Sequence, residues 1–237
     1  MGQVKWAKND PRTIHLKKVL QAKDGDRIDF GAMNGYRGKG VVHWGKSGSV
    51  KIVLEWKNPY PSDLLPITLL LGLSRPQTCR KIIEQAGALG VTELLFFHAQ
   101  KSEPSYARSS LWDDEWYRLL VKGAEQAFSC YLPDCARVGS LDEALKCAKI
   151  HSTIRIALDL YEAKGSLSET IVPSNSPVLL AIGPERGWSD PERKTLRKYG
   201  FTLCHMGQRV LRVETAMVAS VGYLSSGYWT GKGWTGE

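Results

Sequence analysis

Long hydrophobic runs are missing from this 237-residue sequence. Its apolar stretches, such as Ile67–Leu73, fall well short of the ~20 residues that a bilayer-spanning helix needs. The N-terminus, MGQVKWAKND, has no apolar core behind its lysines and does not read as a secretory signal. The expected location is the cytoplasm, with no membrane partner. Cysteine is scarce: Cys79, Cys130, Cys135, Cys147 and Cys204 are odd in number and form no C-x-x-C pair. That argues against a disulfide framework and a zinc site, and leaves the thiols as reduced, mostly buried small apolar groups. The five histidines are scattered, and no H-E-x-x-H or G-x-x-x-x-G-K-[ST] occurs. Gly72-Leu-Ser-Arg-Pro76 lacks the second glycine of a nucleophile elbow. Metal, phosphoryl-transfer and covalent chemistry are thereby disfavoured, and no bound metal is expected.

Acidic residues are the minority charge. Twenty-four stand against 32 Lys and Arg, a net charge of +8. A polyanion such as RNA or DNA is a reasonable partner, because basic side chains gain by displacing counterions from phosphates. Lys5, Lys8, Arg12, Lys17, Lys18, Arg37 and Lys39 crowd the first 40 positions, and Arg12, Lys17, Lys18, Arg37 and Lys39 are taken as the candidate RNA contacts. The plainer alternative is a solvated surface that aids solubility.

Periodicity divides the chain. Residues 1–60 read as short strands with glycine turns, suggesting a small β-barrel. Val50, Ile52, Leu54 and Trp56 alternate as a half-buried strand does, and His15–Leu20 is a short helix at most. The glycines of Gly31–Gly40 join strands and so do not form a dinucleotide loop. Asn58-Pro-Tyr-Pro-Ser-Asp63 breaks both periodicities. From 64 to 228 strands and helices alternate, which favours a parallel sheet and an α/β fold. The predicted strands are Ile67–Leu73, Val91–Phe97, Cys135–Val138, Thr153–Leu160, Val178–Ile182 and Phe201–Met206. Pro76 opens a helix ended by Gly90, and another spans Asp113–Phe128. A capping box, Ser140-Leu-Asp-Glu143, opens a helix to about Ile150. Glu162–Pro177 reads as a surface loop. Ser189 or Asp190 caps a further helix, Thr215 caps the last, and the Gly/Trp/Thr tail to Glu237 reads as loosely ordered.

Two glycine-bearing loops stand at strand ends, where open α/β sheets place ligands. They are Gly183-Pro-Glu-Arg-Gly187 and Gly207-Gln-Arg-Val-Leu-Arg212. Glycines 183, 187 and 207 let main-chain groups approach a flat ligand. Glu185 and Glu214 can accept hydrogen bonds, and Arg209 and Arg212 can hold anions. Either loop alone also reads as a turn and helix entry, with Glu185 at a favourable dipole position.

Together, Ile182-Gly-Pro-Glu-Arg-Gly-Trp-Ser189, Glu192, Gly200-Phe201 and Met206-Gly-Gln-Arg-Val-Leu-Arg-Val-Glu-Thr-Ala216 resemble the signature of the 16S ribosomal RNA uracil-N3 methyltransferase family. That family lies within the SPOUT, or trefoil-knotted, superfamily. His15-Leu-x-x-Val-Leu20 and Gly25-Asp-x-Ile28 resemble its N-terminal PUA-like barrel. Arg80–Val91 and Gly123-Ala-Glu-Gln-Ala127 with Pro133 resemble its middle segments. The resemblance implies a knotted C-terminal domain, a homodimer with active sites at the interface, and S-adenosylmethionine held by Ile182, Gly183, Pro184, Glu185, Gly187, Met206, Gly207, Val210, Leu211 and Arg212. It implies methylation of N3 of a uridine in the RNA of the small ribosomal subunit, with Arg212 and Glu214 as the catalytic candidates. Arg186, Gln21, Gln85 and Ala88 depart from the commoner family pattern, while Arg75-Pro76 and Ser105-Tyr106 resemble a divergent branch. Two alternatives remain open: a SPOUT enzyme acting on another RNA base or position, and a catalytically silent RNA-binding protein.

Overall fold

A computed structural model describes residues 2–59, 62–148, 154–170, 172–173 and 176–228. The helix end at Ile150, the strand start at Thr153 and the tail beyond Tyr228 lie outside the described residues. The chain forms two units, Met1–Ser62 and Asp63–Glu237.

The first unit is a four-stranded antiparallel sheet, β1 (Gly2–Trp6), β2 (Arg27–Gly31), β3 (Tyr36–Trp44) and β4 (Val50–Pro59), with one helix, α1 (Pro11–Lys18). Its strand order is β1-β4-β3-β2. Among the described residues β1 and β2 are edges, so no closed barrel is formed by strand pairing. Period-2 alternation puts Val4, Trp6, Ile28, Phe30, Val42, Val50, Ile52 and Leu54 on one face, where Leu16 of α1 joins them in the unit's core. The helix begins at Pro11, earlier than the apolar spacing suggested, because the Asp10 carboxylate accepts from the Arg12 N–H at 2.9 Å.

The second unit carries a seven-stranded sheet in the order β7-β6-β5-β10-β8-β11-β9. These are β5 (Leu65–Gly72), β6 (Val91–Phe97), β7 (Asp134–Val138), β8 (Ile154–Leu158), β9 (Gly165–Ser166), β10 (Val178–Ile182) and β11 (Thr202–His205). Every recorded pairing in this sheet is parallel. Strands β5, β6 and β10 are apolar along most of their length because both faces are covered. One layer holds α2 (Pro76–Leu89), α3 (Glu115–Gln126) and α6 (Val213–Ser225); the other holds α4 (Leu141–Cys147) and α5 (Asp190–Lys198), with a separate apolar cluster on each side. Cys79, Cys130 and Cys204 are buried, but Cys135 is only partly so and Cys147 is exposed. Burial pushes the Cys79 and Cys135 thiols up to about 12, which keeps both protonated and inert.

Three expectations are corrected in detail. The Ser140 hydroxyl accepts from the Glu143 N–H at 3.2 Å, but the returning Glu143 carboxylate takes the Gly139 N–H at 2.7 Å, one residue earlier than a reciprocal box requires. Glu162–Pro177 is more than a loop, since β9 within it pairs with β11. The last helix starts at Val213 with Arg212 at its N-cap, so Thr215 lies inside its first turn.

Candidate active site

Four neighbouring strand ends build the site. Beyond β5 the chain runs through Ser74 and Arg75 into α2; beyond β10 it makes the Gly183–Trp188 loop. Beyond β8 it passes Asp159–Tyr161, and beyond β11 it passes Met206–Leu211 into α6. These segments enclose an open cleft of about 600 Å³, within the range typical of small-ligand sites.

Close backbone packing fixes the first two loops. A Cβ at Gly72 would lie 2.5 Å from Pro184 Cδ and 2.7 Å from Pro184 N, so only glycine lets the β5 end meet the Gly183–Pro184 turn. Glu185 Oε1 then accepts from the Arg75 N–H at 2.9 Å, placing a carboxylate at the start of α2. Trp188 is fully buried below the loop. Its Nε1 donates to the Leu158 carbonyl at 2.8 Å, and its ring stacks on Phe97 at 6.1 Å between centroids.

The third segment is held by a buried ion pair. Asp159 Oδ1 accepts from the N–H groups of Tyr161 and Glu162 at 2.6 and 2.8 Å. Its Oδ2 accepts from Arg193 Nε at 2.6 Å, where both side chains are almost wholly buried. Desolvation works against the charged Arg193, but Asp159, Glu162 and Asp190 outweigh it and raise its pKa. The fourth segment turns at Gly207, whose φ of 93° is left-handed territory, and the Gly207 N–H donates to His205 Nδ1 at 3.2 Å.

Ile182, Gly183, Pro184, Glu185, Gly187, Met206, Val210, Leu211 and Arg212 all line this one cleft, and so does Glu214. Gly207 is absent from the lining; its part is the turn itself. Glu214 Oε1 accepts from Lys81 Nζ at 3.1 Å. Burial raises the Glu214 pKa, but its own backbone N–H, Lys81 and Arg212 together bring it below the usual carboxylate value. A lowered pKa makes Glu214 a fixed anion and a weak base.

Lys81, the Asp159–Arg193 pair, Trp188 and His205 are site residues that sequence reasoning missed. Lys81 lies on α2 within Arg80–Val91, a stretch that resembles a family segment but in which no side chain was singled out for the site. Asp159 and Arg193 are 34 positions apart and meet only after β8 and β11 pair. No group of three or more His, Cys, Asp or Glu placed to hold a metal occurs among the described residues. No described helix is long and apolar enough to cross a membrane.

The candidate RNA residues belong to the first unit and do not form one patch. Lys17 and Lys18 are exposed at the end of α1, which covers the core face of the sheet. Arg37 and Lys39 stand on β3 at positions alternating with that face. Arg12 is matched by Asp10 at 2.7 Å and lies over the Trp6 ring at 4.4 Å; Lys39 pairs with Asp29 at 2.6 Å.

A family model described as an RNA methyltransferase domain matches residues 61–225, well over half of the chain and the whole of the cleft. The chain belongs to the RNA methyltransferase domain family. This agrees with the family resemblance read from the two loops. The protein named ribosomal RNA small subunit methyltransferase E 1 of Borreliella burgdorferi is 29% identical over 216 residues, covering 90% of this chain and 88% of that protein. Ribosomal RNA small subunit methyltransferase E of Treponema pallidum is 28% identical over 221 residues, covering 89% and 81%. A crystal structure of a ribosomal RNA small subunit methyltransferase E from Neisseria gonorrhoeae, bound to S-adenosyl methionine, has the same fold: TM-score 0.77 at 21% identity, covering 95% of this chain and 92% of that one.

Proposed function

We propose that this chain is an S-adenosylmethionine-dependent RNA methyltransferase that acts on N3 of a uridine in 16S ribosomal RNA of the small subunit. The observation that carries the reading is convergence: nine of the ten residues assigned to the cofactor by family resemblance line a single cleft inside the matched domain. The curated relatives' names supply the substrate class.

The donor set fits the cofactor. Ile182, Leu211 and Val213 offer apolar wall, the Gly183–Gly187 loop offers backbone, and Arg209 and Arg212 are cations without an ion pair among the described residues, suited to a carboxylate or phosphate. When bound, S-adenosylmethionine supplies a methyl group on a positively charged sulfur. The protein's own task is positioning and electrostatics. Arg212, exposed at the N-cap of α6, would stabilise the negative charge that uracil acquires when N3 gives up its proton to water in the open cleft. Glu214, ionised and tied to Lys81, adds a fixed negative charge near Arg212 and is a positioning residue more than a base. Trp188 and the Asp159–Arg193 pair anchor the loops that shape the cleft.

The remaining features are part of the same reading. The second unit is a SPOUT domain with the chain threaded as a trefoil knot around the β10 and β11 loops. It pairs with a second copy as a homodimer in the cytoplasm. The first unit is a PUA-like RNA-binding domain in which Lys17 and Lys18 contribute more than Arg12 and Lys39, whose charges are already matched. Calorimetric titration with S-adenosylmethionine tests the enzyme reading: saturable one-to-one binding is expected per chain. No binding, alongside retained affinity for ribosomal RNA, would leave a silent RNA-binding protein.

A further inference from the structure

The outward face of the first sheet has an uneven charge distribution that strand register makes explicit. On the face opposite the apolar core Arg37 stands across from Gly31 at one end, and three further rows follow, of which only the middle one reaches all four strands. One row is matched: Lys39 stands across from Glu55 and Asp29, with Lys39–Asp29 and Arg27–Glu55 ion pairs at 2.6 and 2.5 Å. The middle row, Gln3, Val53, Val41 and Arg27, is mainly uncharged. The third row is wholly basic. Lys5 of β1 stands directly across from Lys51 of β4, and Lys51 directly across from His43 of β3.

All three side chains are exposed, and none forms an ion pair or side-chain hydrogen bond among the described residues. The adjoining β3–β4 turn adds Lys46, and Lys8, in the segment after β1, packs its stem against that turn. Lys46 is exposed in it, and the Lys8 stem lies 3.3 Å from where a Cβ of Gly48 would stand. Asp24 stands beside the end of β3, where its carboxylate is engaged by the Trp44 N–H at 2.6 Å.

Like charges directly opposite on neighbouring strands destabilise a sheet. The Lys5–Lys51 pair, with no acidic residue in its row, is costly in isolation and is relieved by an external polyanion. We infer that the Lys5–Lys51–His43 row, with Lys8 and Lys46 at its end, is a phosphate-backbone contact surface for the RNA substrate. The row spans two inter-strand gaps, about 10 Å, and is long enough for successive phosphates. Lysines meet phosphate as point charges and read no base edge, so the contact positions RNA without selecting sequence. This inference rests on the proposed RNA substrate. It differs from the sequence reading, which placed the grip on Arg12, Lys17, Lys18, Arg37 and Lys39.

The test is filter binding of a 16S ribosomal RNA transcript across a salt series, with parent, the double variant Lys5→Gln/Lys51→Gln, and Arg27→Gln/Lys39→Gln. The last loses the same charge from the same face, but from cations already matched. For Lys5→Gln/Lys51→Gln the slope of log affinity against log salt should fall by about 1.4–1.8, with about a tenfold weaker affinity at physiological salt. The control should lose less than half as much slope. Melting temperature should hold or rise in Lys5→Gln/Lys51→Gln, and S-adenosylmethionine affinity should be unchanged. If the double variant folds poorly, the single variants Lys5→Gln and Lys51→Gln each carry half the expected slope change. Parent-like slopes in the row variants, or equal losses in both double variants, would overturn the inference while leaving the cofactor cleft and RNA substrate standing. A parent that shows no affinity for the transcript would overturn both.

Discussion

At the scale of single residues, the site depends on a few positions where backbone shape or burial leaves no substitute. Gly207 holds a φ of 93° with nothing within 4 Å of a Cβ, so the constraint is conformational and steric room is not at issue. Gly207→Val places a β-branched residue in a region costing of order 1–3 kcal/mol, which the exposed turn relieves by moving. S-adenosylmethionine affinity should fall at least tenfold while the far-ultraviolet spectrum stays native; unchanged affinity by calorimetry would remove this loop from the cofactor site. Asp159 differs in kind, because its loss strands the buried Arg193. Asp159→Ala should destabilise the protein by about 3–5 kcal/mol, read from urea unfolding, and weaken cofactor binding through the freed Tyr161 and Glu162 N–H groups. A loss under about 1 kcal/mol would place the pair in the class of surface bridges. The first of these residues was legible in the sequence, since a glycine after an apolar run announces a turn. The second was not: an Asp after one strand and an Arg in a helix 34 positions later carry no local sign that they will meet in a dry interior.

Secondary-structure elements follow the same division. Strands covered on both faces read directly, and Val91–Phe97 and Val178–Ile182 have the bounds their apolar runs suggest. The helix over Pro76–Leu89 likewise follows from its proline, its apolar stripe and its closing glycine. Short or exposed pieces did not read. β1 is only five residues of alternating burial, and β9 only two within a polar stretch. The start of α6 was misplaced at Thr215 because capping chemistry was sought, whereas Arg212 makes no side-chain cap there. A helix start that lacks its own cap faces the cleft, which is where local rules are expected to give way to function. Capping at α1 has a measurable acid signature. The Arg12 side chain, and then its backbone N–H, hold Asp10 down to about 2 from 3.8. A lowered carboxylate stabilises fully above its unfolded value and loses that contribution as pH falls through its folded value. The melting temperature of Asp10→Asn should therefore trail the parent above pH 4 and converge with it as pH falls toward 2. A constant difference across that window would exclude the ionised Asp10–Arg12 contact as its source.

At the scale of the whole molecule, the first unit carries an exposed basic row and the second a cleft. Parallel order in the second sheet was legible from strand–helix alternation. The β10–β8–β11–β9 arrangement was not, because local periodicity is blind to which strand lies beside which. A homodimer with shared sites makes a further claim at this scale. The purified protein should sediment at twice the mass of one chain at the concentrations at which it is active; a fully active monomer by sedimentation would exclude it. The central claim is the reaction itself, and nucleoside mass spectrometry of 16S ribosomal RNA tests it most directly. RNA from a strain lacking this gene is digested before and after incubation with the purified protein and S-adenosylmethionine. The account predicts that 3-methyluridine is absent before and present after, in an amount approaching one per RNA, and that Arg212→Ala leaves it absent. A methyl group gained on another base or on a ribose hydroxyl, or none gained by RNA from the deletion strain, would contradict it.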